Sequence, residues 1–175
     1  MTFIYKKHFY LFMLFMCAIA FIGVPHTKIS VAKPFLKYVE LDAAHTDKGA
    51  LQKAKDLFAR YLGQWDIRFE DAVSYARYIN LGGGSKVKYI VYYRKDGSLG
   101  ECAQAGCSLM IFENFEENKW RILLNVSAYA LFTAENERTN GLKDIYLRTR
   151  EGKKIKWVFD GVQYVNPDIE DKIEK

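Results

Sequence analysis

The sequence predicts an α+β domain, in which an N-terminal amphipathic helix packs on a mostly antiparallel β-sheet of about 5–7 strands. Three observations support this prediction. Apolar residues recur at helical spacing early in the chain, later segments are rich in β-branched and aromatic residues between turn residues, and two cysteines stand close together in Cys102-Ala-Gln-Ala-Gly-Cys107. The change of pattern along the chain is typical of one helix followed by a sheet.

The helix is predicted over residues 48–62. Its apolar positions recur every three or four residues, as on one face of a helix. They are Leu51, Ala54, Leu57, Phe58, Tyr61 and Leu62. Asp47 stands near the start, and Gly63 follows the last turn, where glycine commonly ends helices. Residues 64–81 could form either a helix or a strand, because DAVSYARYI suits a helix whereas SYARYINL alternates like a strand.

Strands are predicted where β-branched and aromatic residues alternate between turn residues. They cover residues 86–94, 107–115, 119–126, 143–149, 154–159 and 162–165. Glu116-Glu117-Asn118 and Glu151-Gly152 are expected to close two hairpins, and Asp96-Gly97 ends the first strand. At the last turn Asp160 precedes Gly161, where an aspartate is favoured because it accepts backbone hydrogen bonds.

Residues 1–32 are predicted to be a signal peptide. Lys6 and Lys7 precede residues 9–24, which carry no formal charge, and the small residues Ser30-Val31-Ala32 follow. A helix over 9–24 would span about 24 Å, less than the roughly 30 Å of a bilayer core. This favours a cleaved signal, with an uncleaved N-terminal anchor as the alternative. Residues 33–166 are then one domain, and 167–175 a charged tail that we expect to fray.

Loss of the leader changes the charge. The whole chain has 26 basic and 21 acidic residues, but Lys6, Lys7 and Lys28 lie in the leader, which leaves 23 against 21. A net charge of +2 does not indicate a nucleic-acid partner. Two of the three histidines also leave, so His45 stands alone and no multi-histidine metal site is expected. We expect no cofactor.

Cys102 and Cys107 are the two cysteines outside the leader. In an oxidising compartment such a pair is expected to form a disulfide, and a loop this short stabilises by about 2 kcal/mol. Redox chemistry favours the closer spacing C-x-x-C, and zinc would need further cysteine or histidine ligands. The expected role is to hold a turn in place.

The segment 76–164 resembles a group of exported bacterial proteins that largely lack an assigned activity. The resemblance rests on a Gly-rich loop, a Gly-Cys strand start and a closing W-x-x-D-G-x-x-Y, present here as INLGGGSKVKYIVYY, AGCSLMIFE and WVFDGVQY. KWRILLN and NGLKDIYL match two further strands. The resemblance implies a fold and an exported location rather than a reaction.

In that group the Gly-rich loop is often similar to D-x-N-x-D-G, a spacing that can offer oxygens to Ca²⁺. Here Asn80, Gly82 and Gly84 stand at the ligand positions, and Lys86 and Lys88 follow. Because two lysines oppose a hard cation, we expect no metal site and interpret the glycines as a flexible turn.

A basic strand face is the clearest candidate binding surface. In the second predicted hairpin, the face opposite the apolar residues carries Arg148, Arg150, Lys154 and Lys156, with Lys153 at the turn. Tyr92 and Tyr93 are neighbours, so within a strand they must face opposite ways and one is expected at the surface. Tyr92 is therefore included as a candidate contact. The alternative is a solvated face whose charges discourage edge-to-edge pairing of sheets.

Catalytic residues cannot be assigned. His45 is expected to be a loop histidine near the helix start, and no serine has the context of a nucleophile. We therefore expect a non-enzymatic, periplasmic or secreted protein that binds a protein or cell-wall partner, in the manner of inhibitor or immunity proteins. The alternatives are an envelope hydrolase that uses carboxylates and a structural component of an envelope assembly. In the last case residues 9–24 would anchor the chain in the inner membrane, facing the periplasm.

Overall fold

The computed structural model describes residues 32–62, 73–84, 87–95, 102 and 106–170. The predicted leader therefore lies outside the described residues, except for Ala32. The helices are α1 (Lys48–Leu62) and α2 (Pro167–Glu170). The strands are β1 (Leu36–Tyr38), β2 (Val73–Ile79), β3 (Lys88–Lys95), β4 (Cys107–Glu116), β5 (Lys119–Ala128), β6 (Ala130–Thr139), β7 (Leu142–Arg148), β8 (Lys154–Phe159) and β9 (Tyr164–Val165).

The strands form two antiparallel sheets. The first, here called the five-stranded sheet, has the order β1-β6-β7-β8-β9, and the second, the four-stranded sheet, has the order β2-β3-β4-β5. Each sheet is mainly a meander in which consecutive strands pair, so short turns can close it. The α+β class is confirmed, and the described strands number nine in two sheets rather than about 5–7 in one.

The helix forms as the sequence predicts. Asp47 caps it, because its Oδ1 accepts a hydrogen bond from Ala50 N at 2.7 Å. Asp47 N also donates to Ala76 O in β2, which fixes the start of the helix against the four-stranded sheet. On the buried face of α1, Ala50, Ala54, Leu57 and Phe58 pack against one side of that sheet.

The main core lies between the two sheets. It contains Tyr89, Val91 and Leu109 from the four-stranded sheet and Leu131 and Ile145 from the five-stranded sheet. The four-stranded sheet is therefore covered on both faces, by α1 on one side and by the other sheet on the opposite side. The inner strand β3 is buried along most of its length, because the side chains on both of its faces pack against an apolar layer.

The placement of Tyr92 at the surface was wrong. Tyr92 is fully buried and packs against Phe58 of α1, with ring centroids 5.7 Å apart. Its neighbour Tyr93 points the other way, as predicted, but is also buried, at the core between the sheets. The alternation was correct, whereas the assumption that one face of this strand is open to solvent was not.

The three glycines 82–84 do more than form a flexible turn. Each has a positive φ, and Gly82 forms an antiparallel bridge with Leu142, which ties the end of β2 to β7 of the other sheet. Asn80 Oδ1 accepts a hydrogen bond from Gly82 N at 3.0 Å and shapes the loop entry. Residues 85 and 86 lie outside the described part.

The last part of the described chain contains the turn at Asp160 and a short helix. Asp160 Oδ1 accepts hydrogen bonds from Val162 N and Gln163 N at 2.6 and 2.8 Å, so the expected aspartate turn is confirmed. Within the tail, Pro167–Glu170 form the single turn α2, which Asn166 caps through Asp168 N. Residues 171–175 are outside the described residues. The described helices include none with the length and apolar character that a membrane span needs.

Candidate binding surface

A row of four side chains crosses the five-stranded sheet on the face turned away from the core. Backbone register places Tyr38 of β1 beside Phe132 of β6, Phe132 beside Tyr146 of β7, and Tyr146 beside Lys156 of β8. Directly paired residues of antiparallel strands project to the same side. We call this side the outer face; its opposite side carries Leu131, Ile145 and the other core residues.

Two exposed cations stand side by side on the outer face. Arg148 of β7 and Lys154 of β8 are directly paired in register, as the alternation of the sequence predicts. Like charges at facing positions of two strands are destabilising. Among the residues that the structure describes, neither cation forms an ion pair. This uncompensated pair is therefore a charge that an acidic partner could neutralise.

Aromatic rings continue the same surface. Lys154 Nζ lies 4.2 Å from the ring centroid of Phe132, a distance at which a cation is attracted to the ring face. Tyr38 also packs against Phe132, with ring centroids 5.4 Å apart, and 51% of Tyr38 remains exposed. We define the aromatic–basic face as Tyr38, Phe132, Arg148 and Lys154.

Lys156, which was predicted to belong to the binding surface, is instead held by internal partners. Its Nζ lies 2.9 Å from both Glu137 Oε2 and Asp144 Oδ2, and the Asp144 side chain is 3% exposed. Tyr146 also donates to Glu137 Oε2 at 3.0 Å. Burial of the Lys156 ammonium opposes its charge, but hydrogen bonds to Asp144 and Glu137 outweigh this and raise its pKa. Lys156 is a structural cation.

The remaining predicted surface residue, Arg150, is exposed at the turn between β7 and β8. Of the five residues chosen from sequence, Arg148, Arg150 and Lys154 lie at the surface, Lys156 is half-buried and neutralised, and Tyr92 is under the helix. Sequence reasoning missed Tyr38 and Phe132, because neither β1 nor β6 was predicted. The short run of strand-forming residues Leu131-Phe132-Thr133 is the weak signal that was available for β6.

The disulfide between Cys102 and Cys107 is confirmed. Cys107 is fully buried at the start of β4, in the core between the sheets, and Tyr93 OH lies 3.2 Å from Cys102 Sγ. The neighbouring Gly106 approaches the backbone of Ala128 so closely that a Cβ atom there would lie 2.9 Å from it. The disulfide is therefore a structural link that ties Cys102 to the start of β4, where the backbone packs closely against the end of β5.

His45 does not have the surroundings of a general base. Its Nδ1 lies 2.8 Å from Asp42 Oδ1 and its Nε2 lies 2.9 Å from Glu40 Oε2, so both ring nitrogens contact carboxylates. The hydrogen bonds from His45 lower the pKa of Asp42. The contacts of His45 with Asp42 and Glu40 stabilise the loop between β1 and α1.

Several acids hold turns or pair with cations. Hydrogen bonds lower the pKa of Glu135, through Lys143, and of Asp160, through the backbone of Gln163. A carboxyl group that donates a proton in glycoside hydrolysis needs a raised pKa, so these two are unsuited to that role. Across the described ranges, no cluster of His, Cys, Asp and Glu side chains is suited to hold a metal ion.

Comparison of the chain with protein-family models, with curated proteins and with solved structures gives no match.

Proposed function

We propose that this chain is an exported, non-enzymatic protein that binds an acidic region of a protein or cell-wall partner through the aromatic–basic face. The observation that carries the proposal is the pairing of Arg148 with Lys154, next to the exposed ring of Tyr38 and the half-buried ring of Phe132. Arginine and aromatic side chains dominate the binding energy of protein interfaces, and cations select acidic partners.

The periplasmic or extracellular location is part of the proposal. The disulfide is compatible with such a compartment, since cytosolic thiols are usually kept reduced. The charge pattern of residues 1–32 and the resemblance of residues 76–164 to exported bacterial proteins support the same location. The fraction that contains the protein, periplasm or membrane, tests the location, and its intact mass separates the two forms: cleavage after Ala32 would leave residues 33–175, whereas an uncleaved anchor would leave the whole chain.

Binding through this face can be tested by affinity capture from a cell-envelope fraction. The immobilised baits are the exported protein and its double variant Arg148→Glu/Lys154→Glu. The matched control is Lys48→Glu/Lys88→Glu, which makes the same change of charge at two exposed positions outside the face. We expect a partner that the wild type and the control retain, that the face variant loses, and that elutes as salt increases. Equal retention by all three baits would exclude the face.

A further inference from the structure

A second site lies where the two sheets separate, between their edge strands β1 and β2. The cleft there has a volume of about 480 Å³. Its walls combine apolar residues, among them Val39 and Ile79, with the cations Lys37, Arg77 and Lys143 and the acids Glu40 and Glu135. Ligand sites of small molecules are typically clefts of about 300–1,000 Å³ with a few placed charges.

Arg77 is an arginine on the inner face of its sheet. It is paired in register with Val91, and its neighbours on the same face, Tyr75 and Ile79, pack against the core between the sheets. Arg77 is therefore half-buried at the end of an apolar layer. A guanidinium is a cation with several hydrogen-bond donors, so an anion beside this half-buried position would stabilise it.

The two acids that line the cleft, Glu40 and Glu135, pair with groups other than Arg77. Lys143 Nζ lies 2.6 Å from Glu135 Oε2, and Thr133 Oγ1 donates to Glu135 Oε1 at 3.0 Å, so both oxygens of Glu135 are used. Glu40 Oε2 lies 2.9 Å from His45 Nε2. Within the described part of the chain, Arg77 makes one long hydrogen bond, 3.4 Å from Nη1 to the backbone oxygen of Glu40. No carboxylate of the described residues therefore pairs with the charge of Arg77.

We propose that the cleft between β1 and β2 binds a small organic molecule with one carboxylate, through Arg77. The planar guanidinium can donate two parallel hydrogen bonds to a carboxylate, with exposed Lys37 also lining the site. Glu40 and Glu135 stand nearby and disfavour a doubly charged phosphate. The apolar part of the ligand lies against Val39 and Ile79. This site is separate from the aromatic–basic face, so either proposal can fail alone.

The test uses N-acetyl-alanyl-alanine as the probe and its C-terminal amide as the matched control. Both are titrated at millimolar concentration into the ¹⁵N-labelled protein, and the Arg77 Nε–H signal and the backbone signals of β1 and β2 are followed. We expect saturable shifts with the carboxylate, none with the amide, and at least tenfold weaker binding in Arg77→Gln. Arg77→Lys should bind with intermediate affinity, because it keeps the charge but loses the paired donors.

The wild-type titration decides the matter even if Arg77→Gln fails to fold, and Lys37→Gln is then the second variant, with an expected loss of severalfold. Tighter binding of inorganic phosphate than of the carboxylate would overturn the assignment of ligand. Equal binding of the amide, or no shift with any probe, would overturn the site. In that event Arg77 would be an inward charge that keeps the edge strand β2 from pairing with other chains.

Discussion

A Cβ atom added at Gly83 would overlap the phenol oxygen of Tyr89, a residue that is 1% exposed in the core between the sheets. The loop of three glycines thus passes directly over a buried ring. This close approach explains a glycine at that position better than flexibility does, because there is no room for a side chain.

Gly83→Ala is therefore expected to destabilise the protein. The positive φ of 76° costs about 1–2 kcal/mol for an alanine, and displacement of Tyr89 adds about 1–3 kcal/mol. Urea unfolding measures the sum. Gly84→Ala is the control, since its φ of 94° is also positive but its Cβ would meet open space. Equal losses in the two variants would show that Tyr89 plays no part, whereas partial rescue of Gly83→Ala by Tyr89→Phe would show that it does.

Lys156 and Lys154 should respond differently to the same substitution. Lys156→Met leaves Glu137 and the buried Asp144 without their cation, and breaking a buried ion pair costs about 3–5 kcal/mol. Because Lys156 is itself half-buried, we expect about half of that. Lys154→Met removes an exposed ammonium that makes no ion pair among the described residues, and we expect a change within about 0.5 kcal/mol. Thermal unfolding of both variants is the measurement, and similar losses would contradict the distinction drawn between a structural and a surface lysine.

The Glu135–Lys143 pair should make stability depend on pH in the acid range. The hydrogen bond from Lys143 lowers the pKa of Glu135 from its ordinary 4.5 in the folded protein. The stabilisation is therefore complete above that value and disappears as the pH falls through the lower folded pKa.

Glu135→Gln tests this, because it leaves the Lys143 ammonium, whose side chain is 10% exposed, without its anion. We expect a loss of about 1–3 kcal/mol at pH 7 that shrinks below about pH 4, measured by urea unfolding at several pH values. Glu116→Gln is the control, since Glu116 and Lys119 are 58% and 64% exposed. A loss at Glu135 that does not change with pH would rule out the charge as its cause.

Removal of the disulfide by Cys102→Ala/Cys107→Ala should cost about 2 kcal/mol, the value for a short loop in the entropy model. The wild type in reductant should approach the double variant in melting temperature. Thiol labelling without reductant provides the direct check: modification of both cysteines in the exported protein would contradict the bond.

The parts of the fold that follow from local patterns could be predicted from the sequence. Helix 48–62 has apolar residues at helical spacing. The hairpin of β4 and β5 and the hairpin of β7 and β8 each have strand-forming residues on both sides of a turn. The alternation of Arg148 and Lys154 away from the core could likewise be predicted from the period of two.

The missed parts depend on contacts between distant segments. β1 has three residues, too few for a period, and β6 ends in the polar sequence Glu-Asn-Glu-Arg-Thr, so neither was predicted. Without β1 and β6 the strands could not be divided into two sheets. That division buries Tyr93 between the sheets, while α1 covers Tyr92 on the opposite face, so neither ring is left at the surface.

The register of β1 has a consequence for the order of folding. Strands β2 to β9 pair with their neighbours along the chain, apart from the change of sheet at Tyr129, and such contacts can form early. Leu36 pairs with Ala134, almost a hundred residues later. The strand that leaves the ribosome before all the others thus waits longest for its partner. Until β6 is made and in place, Tyr38 has no Phe132 to pack against, and the surface proposed to bind the partner is incomplete.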